Sequence, residues 1–174
     1  KLSEFRYVLV SSTHNHEGPD VIGIWGRGPF SRGVDDDYLN TVIDRVVDCI
    51  RQAAAKVTPV NAAYGTAEDE TLLSDSRLPT VKDGILRAVQ FNNADSRQPA
   101  GILVQWNCHP ESLGSRNLAI TCDFPWATVA ALEKQRGCPV VYVSGAVGGL
   151  MSNPAGRVFD DAGQRSEEHT SELQ

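Results

Sequence analysis

The chain has 174 residues, 41% hydrophobic and 22% charged, with a formal net charge of −6. That is the composition of a folded domain with a sizeable core, and it argues against disorder. A mildly acidic chain without a basic cluster argues against nucleic acid as the main partner, and no apolar run reaches the roughly 18 residues that a membrane-spanning helix needs.

The chain opens on Lys1 rather than Met, so its true start is expected to lie upstream. A first buried strand is predicted over residues 5–12, carried by the apolar run Tyr7-Val8-Leu9-Val10. It delivers His14-Asn15-His16-Glu17 and stops in the Gly18-Pro19 turn. Two histidines two positions apart on a strand project to the same side. A same-side imidazole pair beside a carboxylate is the raw material of a metal or acid–base site. Taken alone, such a pair is more often two loop histidines; partners elsewhere in the chain have to decide.

A loop from Glu17 to Gly33 follows, with five glycines, two prolines and the apolar residues Ile22, Ile24, Trp25 and Phe30. It reads equally as a wall over a site or as a loop folding its apolar residues back onto the core. Asp35-Asp36-Asp37 opens the clearest helix, its acids suited to the N-terminal dipole. Leu39, Val42, Ile43, Val46, Val47, Ile50, Ala54 and Val57 repeat at helical spacing until Pro59, which predicts a scaffold helix with one buried face. Cys49 lies on that face and reads as a small buried hydrophobe.

Val60 to Gly65 reads as a short strand, and Thr66 to Pro79 as a polar, irregular, solvated stretch. Ile85 to Phe91 and Ala100 to Cys108 form a predicted hairpin around the turn residues Asn92-Asn93-Ala94-Asp95-Ser96. The second strand ends in His109-Pro110-Glu111, where the proline biases His109 toward an extended conformation. Ligands in α/β sheets collect outside strand ends. His14 and His109 are therefore candidates to meet at one metal ion.

Asp123 reads as the N-cap of a helix with Pro125 in its first turn. That helix is predicted to bury Trp126, Val129, Ala130 and Leu132 and to close at Gly137. Val140-Val141-Tyr142-Val143 is a strongly apolar strand. It runs into Gly145-Ala146-Val147-Gly148-Gly149, where the backbone can approach something closely. The run lacks the spacing and the Gly-Lys-Ser/Thr ending of a phosphate loop. The whole predicts an α/β fold, a mixed β-sheet flanked by helices.

Cys49, Cys108, Cys122 and Cys138 contain no Cys-x-x-Cys, so a structural zinc site is not indicated. Cys108 adjoins His109 in sequence, whereas a Cys–His nucleophile needs its histidine across the fold. Residues 165–174 resemble the translation of a sequencing-adapter oligonucleotide and are set aside from the fold, leaving 1–164 as one partial catalytic domain. Without them the count is 15 basic and 19 acidic residues, a net charge of −4, with three histidines: His14, His16 and His109.

Together these segments resemble the neutral/alkaline non-lysosomal ceramidases. Ser12-Thr13-His14-Asn15-His16-Glu17-Gly18-Pro19 is similar to that family's His-Thr-His-Ser-Gly-Pro. Trp106-Asn107-Cys108-His109-Pro110 resembles its His-Pro segment, and Cys122-Asp123 the Ser-Asp that follows it. Ser76-Arg77-Leu78-Pro79 looks like Asn-Arg-Ser-Pro, and Gly145 to Asn153 falls where the family has Gly-Asp-Val-Ser-Pro-Asn. The matches keep the family's order over residues 5–154.

The resemblance implies an N-terminal catalytic domain that binds one zinc ion and hydrolyses the amide of N-acylsphingosine. It implies His14 and His109 as zinc ligands, with a Glu and a Tyr beyond Gln164 completing the set. It implies His16 and Arg77 as the groups that position the substrate carbonyl and the attacking water. It also implies a lipid-like N-acyl substrate, a secreted, periplasmic or membrane-surface location with peripheral membrane contact, and no activity for residues 1–164 by themselves. The departures are specific. Met151 stands where the family has serine, with Ser152 one residue late; Gly149 replaces its Asp; Asn15 and Glu17 replace its Thr and Ser. They place the chain outside the characterised ceramidases. The alternative reading they raise is a non-catalytic relative that binds a lipid or glycan headgroup.

Overall fold

A computed structural model describes residue 7, residues 9–114 and residues 117–152. The adapter-like tail lies outside the described residues. The elements in order are α1 (Asp36–Ala54), β1 (Val60–Glu68), one 3₁₀ turn (Glu70–Leu72), β2 (Leu73–Asp75), β3 (Ile85–Asn93), β4 (Pro99–Trp106), α2 (Asp123–Arg136), β5 (Val140–Ser144) and β6 (Leu150–Ser152).

The hairpin read from the sequence forms. β3 and β4 pair antiparallel, with Arg87 opposite Gln105 and Phe91 opposite Gly101. β1 adds antiparallel to the other edge of β3, and β5 lies parallel to β4, giving the order β1-β3-β4-β5. A parallel neighbour needs a crossover, and α2 supplies it between β4 and β5. This is the expected α/β architecture, a mixed sheet with α2 packed on one face.

The principal core lies between α2 and that face. Ile102, Val104, Cys138, Val140 and Tyr142 are buried there, with Leu86, Trp106, Phe124, Val129 and Leu132 packed against them. The alternate residues of β4 and β5 supply it, as strand periodicity requires. α2 ends at Gly137, whose left-handed backbone (φ 68°) returns an N–H to the Glu133 carbonyl. A smaller core of Leu73, Cys108 and Leu150 joins the first through Trp106 and Phe124. It is built on a separate two-stranded ladder, β2 with β6, in which Asp75 opposes Leu150.

Five expectations are corrected. First, the described part of residues 5–12 is no strand: Tyr7, Leu9 and Val10 are exposed, and no strand of the described residues pairs with them. An apolar run becomes a strand only when a neighbour completes its ladder. Second, the one buried face of the helix is not covered. No residue of α1 is buried, Ile43, Val46, Val47 and Ile50 face outward, and Cys49 is exposed with them. Periodicity marks a face fit for burial but not what covers it.

Third, Trp126 is 65% exposed, so the buried face of α2 runs through Phe124, Val129 and Leu132 instead. Fourth, the stretch 66–79 is not wholly irregular: it holds the end of β1, the 3₁₀ turn and β2. Fifth, Asp123 is the first residue of α2 rather than its cap. The Cys122 cap position makes no side-chain bond. In the Gly-rich loop, Trp25 and Phe30 project outward rather than folding back.

Candidate metal centre

His14, His16 and His109 meet at one point. Their ring centroids stand 4.8 Å (14–16), 4.8 Å (14–109) and 5.5 Å (16–109) apart. One ring nitrogen from each lies within 4.8 Å of the others. Two of these residues are two apart in sequence, and the third arrives from 93 positions or more further along.

His14 and His16 meet without a strand beneath them. His14 instead adopts a left-handed backbone, φ 60°, which costs a non-glycine residue roughly 1–2 kcal/mol. The segment is held from the side. Asn15 Nδ2 donates to the Thr121 carbonyl, its Oδ1 accepts from the Glu17 N–H at 2.8 Å, and the Thr121 hydroxyl donates to Glu17. Ser144 Oγ, at the end of β5, donates to the Thr13 carbonyl at 2.6 Å. So Asn15 and Glu17, the departures from the family pattern, are the residues that fasten this loop.

His109 is fixed more tightly. Its backbone N–H and its ring Nδ1 both meet the Leu150 carbonyl, at 2.9 and 3.1 Å. Nδ1 is then the protonated nitrogen, and Nε2 is left to the site. The preceding Asn107 is 2% exposed. It donates to the Asp83 carbonyl at 3.0 Å and accepts from the Ala146 N–H at 2.9 Å. Cys108 packs beneath the histidine with Leu73 and Leu150. Burial and the carboxylates of Asp123 and Glu111 push its thiol up to about 12, as suits a packing residue rather than a nucleophile.

Partial desolvation of its ring, then the neighbouring His109 and His16 imidazoles, hold the pKa of His14 below the ordinary histidine value; Glu111 partly opposes them. The His14 ring is thereby favoured as a neutral nitrogen donor. Zinc holds imidazole nitrogens about 2.0–2.1 Å away, so two on one ion stand roughly 3.4–4.2 Å apart. The observed spacing is within small side-chain rotations of that.

Arg77 is not part of this constellation. It is exposed, and among the described residues no hydrogen bond or ring contact joins it to the imidazoles. Its neighbourhood is nevertheless tied to them. Asp75 accepts from the N–H groups of Arg77 (3.0 Å) and Val81 (2.7 Å), which also keep its carboxyl below the usual carboxylate range. Ser76 N–H donates to the Gly149 carbonyl at 2.9 Å. The Arg77 turn follows β2, which pairs with the strand whose Leu150 holds His109.

Two residues make contacts that no motif announces. Glu111 reaches His16 Nδ1 with its carboxylate. A carboxylate two positions after His109 was the available signal. Asp123 accepts from Ser112 Oγ (2.7 Å) and Leu113 N (3.2 Å), so the start of α2 pins the loop that follows His109. Its buried carboxylate and positive φ of 49° give no sign in sequence.

No family model matches the chain. Over 129 residues, 67% of its length, it is 26% identical to the neutral ceramidase of Pseudomonas aeruginosa, and the match covers 19% of that protein. Its fold is similar to that in the crystal structure of neutral ceramidase from Pseudomonas aeruginosa, with a TM-score of 0.70 at 21% identity, over 87% of this chain and 27% of that one. A structure of ceramidase complexed with C2 gives a TM-score of 0.68 at 21% identity, over 82% and 25%. The chain is ceramidase-like in sequence and in fold, and it spans about a fifth of the length of the curated relative that it matches. Among the described residues no helix is long and apolar enough to cross a membrane.

Proposed function

We propose that the chain is the N-terminal part of the catalytic domain of a zinc-dependent hydrolase of ceramidase type, cleaving the amide of an N-acylsphingosine-like lipid or a related N-acyl substrate. The observation that carries this is the convergence of His14, His16 and His109 with His109 Nδ1 already engaged by the Leu150 carbonyl. His14 and His109 would hold the zinc ion. Bound there, zinc supplies Lewis acidity and an activated water at neutral pH.

His16 lies beside both ligands and turns its Nδ1 toward Glu111. Its other nitrogen would hold the substrate carbonyl and the attacking water. Arg77, on the exposed turn tied to Gly149, would supply a cation for the charge that develops on an amide oxygen. A lipid-like substrate agrees with what the similar proteins are named for, and with a secreted, periplasmic or membrane-surface location.

The test uses the full-length protein. Elemental analysis is expected to find one zinc per chain, and a panel of N-acyl amides, esters and lactones to include a substrate lost on chelation. A zinc-free protein that keeps amidase activity overturns the reading. A panel with no turnover leaves the alternative that Met151 favours, a relative that binds lipid or glycan without hydrolysing it.

A further inference from the structure

We propose that Glu111 is a positioning residue that fixes the ring of His16 in the site. The contact is a property of this chain; only the consequence for turnover rests on the hydrolase reading above.

Two carboxylates on the segments that carry or follow the histidines are committed elsewhere. Glu17 accepts from Thr121. Asp123 accepts from Ser112, Leu113 and Phe124. Among the described residues Glu111 is the carboxylate in contact with an imidazole, its Oε1 meeting His16 Nδ1. Its side chain is 21% exposed against 49% for His16, so the shielded partner orients the open one. The carboxylate is itself well placed. Pro110 beside it is buried, His109 two residues back is held at two atoms by Leu150, and the Glu111 carbonyl accepts from Gly114 N–H at 3.2 Å.

His16 needs such an anchor. It lies on a segment without regular secondary structure, and its ring contacts among the described residues are with the other two histidines. A carboxylate accepting from Nδ1–H sets the tautomer and the ring plane and leaves Nε2 unprotonated. His109 is prepared in the same way by a backbone carbonyl at its Nδ1. The sequence Cys108-His109-Pro110-Glu111 therefore does two things at once: it offers one imidazole and aims another.

The test compares Glu111→Ala and Glu111→Gln in the full-length protein, labelled with ¹⁵N-histidine and assigned with a His16→Asn control. In the parent, His16 is expected as the Nδ1–H tautomer. In Glu111→Ala the signal is expected to move toward Nε2–H, while Glu111→Gln, whose amide oxygen still accepts, keeps it. With an N-acyl amide substrate, kcat is expected to fall about 10- to 100-fold in Glu111→Ala with KM and zinc content little changed, and to recover substantially in Glu111→Gln. An unchanged His16 tautomer in Glu111→Ala, or a Glu111→Gln spectrum like that of Glu111→Ala, overturns the proposal. Absence of amide turnover in the parent would count against the hydrolase reading alone, since the tautomer measurement still decides the role of Glu111.

Discussion

The carbonyl of Leu150 accepts two hydrogen bonds from His109, one from the backbone N–H and one from the ring. A single atom of β6 thus fixes both where this histidine is and which nitrogen it presents. Because Leu150 also opposes Asp75 in the ladder, the same contact links the histidine to the turn that bears Arg77.

Replacing His109 should therefore cost more than one donor nitrogen. His109→Ala is expected to lower zinc affinity by more than the roughly 100-fold upper range seen when a mere outer-shell partner is removed. Competition with a chromophoric chelator measures it in the full-length protein. An affinity within about threefold of the parent would remove His109 from the ligand set.

The segment of His14 and His16 hangs on the Asn15–Thr121–Glu17 contacts. Asn15→Ala deletes the side-chain bonds to Thr121 and to the Glu17 N–H, about 1–2 kcal/mol of local fastening. Zinc affinity is expected to drop about tenfold with only a small change in melting temperature, because the sheet does not depend on this loop. Calorimetric titration and a thermal melt on the same sample separate the two effects.

Gly145 admits no side chain. A Cβ there would stand 1.8 Å from Gln105 Nε2 and 2.0 Å from Asn107 Oδ1. Asn107 is buried and bonds both Asp83 and Ala146, so it has no room to give. Gly145→Ala is expected to destabilise the fold by about 2–4 kcal/mol, combining overpacking with a broken buried polar contact. Chemical denaturation with an unchanged m-value checks it.

The thiol of Cys108, pushed up to about 12, is almost entirely protonated at pH 8 and is also out of reach. Iodoacetamide is expected to modify the exposed Cys122 in the native protein and to spare Cys108 until the chain unfolds. Peptide mass spectrometry reads the order. Rapid native labelling of Cys108 would mean that the small core beneath His109 opens readily.

The depressed pKa of His14 has a defined sign. A histidine held neutral in the fold gives stability that is full above the unfolded value of about 6.5 and is lost as the pH falls from there through the lower folded value. The neutral ring is also the ligand form. The contribution of His14 to zinc affinity, read as the difference between the parent and His14→Ala, is therefore expected to persist below the ordinary imidazole range and to fail only as its folded value is passed. A chelator-competition series descending in pH checks this; a collapse at or above the ordinary value contradicts it.

What could be read in advance was local. The hairpin of β3 and β4, the crossover helix α2 with its Gly137 stop, and the apolar β5 all carry their signals in neighbouring residues. His14, His16 and His109 stood out because only three histidines precede the tail. What could not be read depends on partners distant in sequence. Tyr7 to Val10 has strand composition, yet no described strand lies beside it. α1 has the right period, yet none of its residues is buried among the described residues. Asp123 looks like a cap, but Ser112 and Leu113 claim its carboxylate. Arg77 and His109 are linked through β6, a three-residue strand too short for a pattern to announce.

The loop that carries His14 and His16 has no regular backbone of its own, while His109 is built into the sheet's end. An ion gripped by His14 and His109 would close a circuit of about 95 residues. On a chain-entropy scale a permanent cross-link of that span restricts the unfolded ensemble by roughly 4–5 kcal/mol. Metal here would act as a clasp as well as a reagent. Chelation is then expected to release the N-terminal segment to proteolysis while the β1-β3-β4-β5 sheet stays intact.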